Sequence, residues 1–170
     1  RLRRAGRPPL ALGYAGCVVA GILGHVLLVQ AGMGRRDAAA ATARPLYAVL
    51  AFGLVFTAVG TLMGAVWADQ SWGRFWGWDP KENGALLILA WLAAVFHARR
   101  AGWIGGAGLA AGAVGSLVTV ALAWFGVNLL GLGLHAYGFT SGAARALLAF
   151  LAVELAFLAV ALPLARRRRS

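Results

Sequence analysis

The stretch LALGYAGCVVAGILGHVLLVQAGM, residues 10–33, decides the class of fold. Its 24 residues include no Lys, Arg, Asp or Glu. An α-helix rises about 1.5 Å per residue, so the stretch is long enough to cross about 30 Å of hydrocarbon. The stretch therefore predicts a transmembrane helix.

The rest of the chain has the same character. Its 170 residues are 61% hydrophobic and 12% charged, with a mean hydropathy of +0.77, which excludes an ordinary soluble domain. Further apolar stretches occupy residues 46–66, 84–96 extended at both ends, 104–134 and 143–165. We predict an all-α fold, a polytopic membrane helix bundle with about five transmembrane helices. It forms a single membrane domain over residues 1–170, with a small linker from Asp37 to Thr42.

Charge indicates how this bundle is oriented. The formal net charge is +11, but Lys and Arg fall between the apolar stretches rather than along one face, which argues against a nucleic-acid partner. Nine basic residues lie in three groups, at residues 35–44, 99–100 and 166–169. By the positive-inside rule, the segment at residues 67–83 then faces outward. The arginines at residues 1–7 favour the opposite orientation of the bundle. Because the chain starts with Arg, we expect a fragment or processed form, and we therefore base the orientation on the internal loops.

Four tryptophans are concentrated in WADQSWGRFWGWDPKE, residues 67–82, which we call the tryptophan segment. One interpretation is an interfacial aromatic belt. Belts spread over several helix ends, however, whereas these rings lie in one connecting segment with Gly73 and Gly77 between them. Glycines let backbone and rings approach a flat ligand closely. The segment therefore predicts a site for a large, planar, apolar ligand, with contacts from Trp67, Trp72, Trp76 and Trp78.

The end of the segment also has a structural interpretation. Asp79 at the N-cap, Pro80 at the first helical position and Glu82 at the third predict a capping box that begins the third span. The two roles are compatible, since a rigid cap fixes where the tryptophans project.

Two motifs carry a family resemblance. The first is WGRFWGWDPKE at residues 72–82, preceded by VWA at 66–68, and the second is WFGVNLLGLGLHAYG at residues 124–138. Together they resemble the WWD-domain haem-handling proteins of cytochrome c biogenesis, and most closely the CcsA-type (System II) proteins. The resemblance spans about residues 47–138.

The resemblance implies a function in cytochrome c maturation. A chain of this family holds b-type haem non-covalently and presents it for covalent attachment to apocytochrome c, whose Cys-x-x-Cys-His sequence supplies the thiols. A CcsB-like membrane protein is the implied partner, in the lipid bilayer of a bacterial inner (cytoplasmic) or thylakoid membrane, with the tryptophan segment on the periplasmic or lumenal side. Whether the chain is an enzyme stays open; the candidate role is a subunit of a holocytochrome c synthase (haem lyase).

The resemblance also assigns site residues. It implies that Trp72, Trp76, Trp78 and Asp79 contact haem and that His135 ligates the iron. His135 also lies at the outer end of the fourth predicted span, level with the tryptophans, and neutral imidazole is a usual haem ligand. A solvated or capping histidine is the alternative. The family's other outward histidine has no counterpart, because residues 1–10 contain no His.

The remaining polar candidates lie deeper. From helical rise, His25 is about 23 Å and His97 about 27 Å below the outer edge, too far to reach an iron beside His135. A second, inward haem site ligated by this pair is one hypothesis; an inner-edge His97 and a bundle-facing His25 form the other. Glu154 is either a functional intramembrane carboxylate or a hydrogen-bonding partner of a neighbouring helix.

Two other functions stay open. A System I-like haem carrier or chaperone shares the tryptophan segment, but the motif around His135 argues against it. A haem-free membrane scaffold or transport protein, whose aromatics only anchor it at the interface, is the other alternative.

Overall fold

The computed structural model describes residues 2–129 and 142–167. Its elements are α1 (Leu2–Gly32), α2 (Arg36–Trp72), α3 (Pro80–Arg100), α4 (Gly106–Ala121), a π-helical turn (Leu122–Gly126), α5 (Val127–Leu129) and α6 (Gly142–Arg167). The predicted all-α bundle is therefore confirmed. Among the described residues, four segments are long and apolar enough to cross a membrane: α1, α2, α4 with its π-helical turn, and α6. The fifth long helix, α3, has 21 residues and carries charged side chains in its first and last turns.

The first two helices form a tight antiparallel hairpin. Gly34, with φ of 79°, reverses the chain between them, and the Gly34 N–H donates to the Ala31 carbonyl at 3.0 Å. A Cβ on Gly16 would lie only 3.0 Å from the Cα of Gly53, so the helices touch backbone to backbone. Small residues permit this close approach, which is a usual source of helix association in lipid.

The predicted linker from Asp37 to Thr42 is wrong, because these residues lie inside α2. Four consecutive alanines follow Asp37, and alanine has the highest helix propensity. The negative charge of Asp37 in the first turn also stabilises the helix, because it lies near the positive end of the helix dipole. Thr42 then bonds to α1, since its hydroxyl donates to the Gln30 side-chain oxygen at 2.9 Å. The 37 residues of α2 span about 55 Å, so the helix is longer than the hydrocarbon is thick.

The bundle has two distinct ends. At one end α2 finishes and α3 begins, and the tryptophan segment lies there; we call it the tryptophan end. At the other, α1 finishes, α2 begins, α3 finishes and α4 begins. Arginines mark this second end, which we call the arginine end: Arg35, Arg36, Arg99, Arg100, Arg166 and Arg167.

A polar contact inside the bundle joins α1 to α6. His25 Nε2 lies 3.1 Å from Glu154 Oε2, and the His25 ring packs on Phe157 with centroids 4.3 Å apart. His25 Nδ1 lies 2.9 Å from the carbonyl oxygen of Gly21, one turn earlier in α1. The bundle-facing interpretation of His25 is thus confirmed, and Glu154 faces it from α6 at ion-pair distance rather than in a hydrogen bond. His97 is instead exposed near the end of α3, with Nδ1 2.7 Å from the Ala93 carbonyl.

Candidate functional site

Glu82 organises the loop between α2 and α3. One carboxylate oxygen accepts from the backbone N–H of Gly77 at 2.8 Å and of Asp79 at 3.1 Å. The other accepts from the Arg74 guanidinium at 3.0 Å. A single side chain on the first turn of α3 therefore fixes the loop on both sides of Trp78. Charge-assisted hydrogen bonds of this kind are stronger than neutral ones.

Asp79 completes the helix start. Its carboxylate accepts from the Lys81 N–H at 2.8 Å, and with the reciprocal bond from Glu82 the predicted capping box is present. Asp79 is 5% exposed, so its cap bonds are shielded from water. The cap interpretation of Asp79 and Glu82 is confirmed.

The loop holds Trp78 in an unusual backbone conformation. Its φ is 56°, in the left-handed region that bulky residues rarely adopt. The Asn83 side-chain amide donates to the Trp78 carbonyl at 3.0 Å, which helps to keep it there. The Trp78 side chain is 68% exposed. A strained residue that presents a large apolar ring to the outside is a candidate ligand contact, since such strain is concentrated at functional sites.

The four tryptophans form two connected pairs. Trp67 and Trp72 meet edge to face with centroids 4.8 Å apart, and Trp76 and Trp78 do so at 6.0 Å. Trp67 and Trp76 line the same cleft, so the pairs share one surface. Trp67 and Trp72 belong to the last turns of α2, so the prediction that all four rings lie in a connecting segment is wrong for these two.

The cleft beneath the rings lies between α1, α2 and α3. Its volume is about 200 Å³, below the roughly 300 Å³ at which small-molecule pockets usually begin. Tyr14 and Lys81 contribute to its lining along with Trp67 and Trp76. A large flat ligand would therefore lie against the exposed aromatic surface, with at most one edge in the cleft.

The start of the second motif, residues 124–138, lies in the π-helical turn and contacts the same site. Lys81 Nζ donates to the Trp124 carbonyl at 2.9 Å, and the Trp124 ring lies 5.6 Å from the Tyr14 ring. Burial lowers the pKa of Lys81, while nearby Asp79 acts in the opposite direction. A Cβ on Gly84 would lie 2.9 Å from the Cα of Ala123, so α3 and the π-helical turn are in direct contact.

Sequence reasoning did not nominate Lys81, Arg74, Tyr14 or Trp124 as site residues. Lys81 and Arg74 lie within the first motif and Trp124 begins the second, so membership of a motif was the available signal. The contacts of Lys81 and Tyr14 with Trp124 depend on a π-helical turn, which neither motif reveals, whereas Arg74 bonds Glu82 within the first motif. His135 lies outside the described residues, and its role as an iron ligand stays a prediction.

Taken together, the helices and the aromatic surface define a polytopic membrane protein with an aromatic site at one end of its bundle. The family model described as "Cytochrome C assembly protein" matches residues 8–135. The chain therefore belongs to the cytochrome c assembly protein family.

Curated relatives match a little over half of the chain. The cytochrome c biogenesis protein CcsA of Trachelium caeruleum is 43% identical over 98 residues, which cover 58% of this chain and 31% of that protein. The CcsA of Parasynechococcus marenigrum (strain WH8102) is 44% identical over 97 residues, covering 56% and 32%. The CcsA of Gossypium hirsutum is 41% identical over 92 residues, covering 54% and 29%. The matched region is thus about a third of these relatives' length, and the predicted resemblance to CcsA-type proteins is confirmed.

Proposed function

We propose that the chain binds haem at the tryptophan segment and presents it for covalent attachment to apocytochrome c in System II cytochrome c maturation. The observation that carries the proposal is the aromatic surface at the tryptophan end, where Glu82 fixes the loop on both sides of the exposed Trp78. Membership of the cytochrome c assembly family supports the maturation pathway.

The residues present fit a haem. Trp67, Trp72, Trp76 and Trp78 would hold the apolar macrocycle, because indole faces stack well on flat conjugated ligands. Asp79 would act by fixing the loop, since its carboxylate is occupied by the cap. His135 would ligate the iron of a non-covalently bound b-type haem. When bound, haem would supply the vinyl groups that form thioethers with the client's two thiols.

The rest of the assembly follows from the same proposal. An apocytochrome c with a Cys-x-x-Cys-His sequence is the client, a CcsB-like membrane protein is the partner, and the complex acts as a holocytochrome c synthase. The bacterial inner or thylakoid membrane would contain it. Six arginines at the opposite end of the bundle support an outward tryptophan segment under the positive-inside rule, whereas the arginines at the start of α1 act against it.

Iron ligation is tested by replacing the proposed ligand. We expect purified His135→Gly protein to lose most of its Soret absorbance, and added imidazole to restore it, because free imidazole can occupy the vacated coordination position. Unchanged absorbance in His135→Gly would show that His135 is not the ligand. Loss that imidazole cannot restore, with an unfolded protein by circular dichroism, would assign His135 a structural role instead.

A further inference from the structure

A pocket of about 350 Å³ lies at the arginine end, opposite the aromatic site. Its walls are apolar and come from α1, α2, α4 and α6, chiefly through alanines. Two arginines from different helices also line it: Arg36, which begins α2, and Arg99, in the last turn of α3. The pocket therefore combines an apolar interior with two guanidinium groups.

This charge arrangement selects for an anion. Guanidinium groups present several donors in a planar fork that suits phosphate and carboxylate oxygens. Arg99 uses one donor for the Ile104 carbonyl at 3.0 Å, out of the five that the group carries. Arg36 also has a partner within the structure, and a guanidinium with five donors keeps others for an anion.

An apolar groove of about 560 Å³ also reaches the arginine end, where Arg166 lines it. The groove lies between α3, α4 and α6, and consecutive residues on these helices line the two spaces. Arg99, Ala107 and Ala165 line the pocket, whereas Ala98, Gly108 and Arg166 line the groove. The pocket and the groove therefore lie at the same level of the bundle, on adjacent faces of these helices, and Arg166 lines the groove there.

We propose that pocket and groove together bind one anionic phospholipid. Its phosphate would bind Arg36 and Arg99, and an acyl chain would lie in the groove. Basic pockets between transmembrane helices are a known type of site for anionic headgroups. A lipid accounts for both spaces, whereas a free phosphate would leave the apolar groove without an occupant. The site is separate from the aromatic surface, so its test does not depend on haem.

Native mass spectrometry of the full chain in detergent tests this proposal. With phosphatidylglycerol and phosphatidylcholine supplied in equal amounts, we expect phosphatidylglycerol to be retained preferentially. Each of Arg36→Gln and Arg99→Gln should weaken its retention by about fivefold, since one arginine near an anionic headgroup contributes about 1 kcal/mol. The controls are Arg44→Gln and Arg100→Gln, which remove exposed charge outside the pocket. Equal retention of both lipids, or an equal effect of the control variants, would overturn the site.

A second pair of variants keeps every arginine. Ala40 lines the pocket and Ala41 does not, and both are exposed. Ala40→Leu should therefore reduce phosphatidylglycerol retention, while Ala41→Leu should leave it unchanged; equal retention in the two would contradict the pocket. Sodium phosphate is the third arm. If it raises the melting temperature of lipid-free protein as much as phosphatidylglycerol does, the ligand is a soluble anion and the lipid proposal is wrong.

Discussion

Trp78 is the residue at which a substitution should best distinguish an effect on stability from an effect on the proposed haem binding. Its φ of 56° costs about 1–2 kcal/mol for a residue with a Cβ, and glycine avoids that cost. Trp78→Gly also removes the ring contact with Trp76, which is worth about 0.5–1.5 kcal/mol. We expect the free energy of unfolding to stay within about 1 kcal/mol of the wild type, because the two effects oppose each other.

Haem content should respond differently to the same change. Trp78→Gly should bind haem several-fold more weakly, whereas Trp78→Phe, which keeps an aromatic ring, should lose less. Absorbance titration with haem and thermal unfolding of the same samples make the comparison. A Trp78→Gly protein that binds haem as well as the wild type would exclude this ring from the site.

Glu82 is expected to matter for the stability of the fold. Glu82→Ala removes the acceptor for Gly77 N–H, Asp79 N–H and Arg74. At about 1 kcal/mol for each lost bond, we expect the free energy of unfolding to fall by about 2–3 kcal/mol. Asp69→Ala is the control, because Asp69 is an exposed acidic residue on the last turn of α2. Equal destabilisation by both changes would mean that charge, not the hydrogen bonds, is responsible.

At the scale of the elements, the contact between α3 and the π-helical turn connects the two sequence motifs. Gly84→Ala would place a Cβ 2.9 Å from the Ala123 Cα, and overpacking of this kind costs about 1–3 kcal/mol. Gly64→Ala on α2 meets nothing within 4 Å, so it should stabilise by up to about 1 kcal/mol through helix propensity. Thermal unfolding in detergent should therefore shift in opposite directions, and a lower melting temperature for both would contradict the packing.

The elements also show what the sequence could predict. The capping box at Asp79 was predictable, because its signal lies in four consecutive residues. The extension of α2 through Asp37 to Thr42 was missed, since a short segment between two apolar stretches resembles a linker unless the helix propensity of its four alanines is weighed. The bond from Lys81 to the Trp124 carbonyl was out of reach, because it joins residues 43 positions apart through a π-helical turn.

At the scale of the whole molecule, the two ends of the bundle make the orientation testable. The cysteine of the native chain, Cys17, is buried, so it should give little background with a membrane-impermeant maleimide. Ser71 and Ala101 are exposed at the tryptophan end and at the α3–α4 turn, respectively. We expect Ser71→Cys to be labelled in intact cells and Ala101→Cys only after the membrane is permeabilised. The reverse pattern would place the tryptophan segment on the inner side.

Hydropathy was sufficient to predict the bundle, but not which polar side chains pair inside it. His25 and Glu154 were each recognisable as polar residues within apolar stretches. Their partnership depends on how α1 packs on α6, which no local pattern encodes. The arginine-lined pocket was not predicted for the same reason, since Arg36 begins α2, Arg99 lies in the last turn of α3, and only the fold brings both to one pocket.

The haem content of the purified full chain tests the central claim most directly. Protein from haem-replete cells should contain haem by the pyridine haemochrome assay, and Trp76→Ala should bind it about tenfold more weakly, because an aromatic stacking surface is lost. Trp103→Ala, which removes an 82% exposed tryptophan at the α3–α4 turn, should match the wild type. A wild-type protein that stays colourless when haem is added, or equal losses in the two variants, would contradict the account.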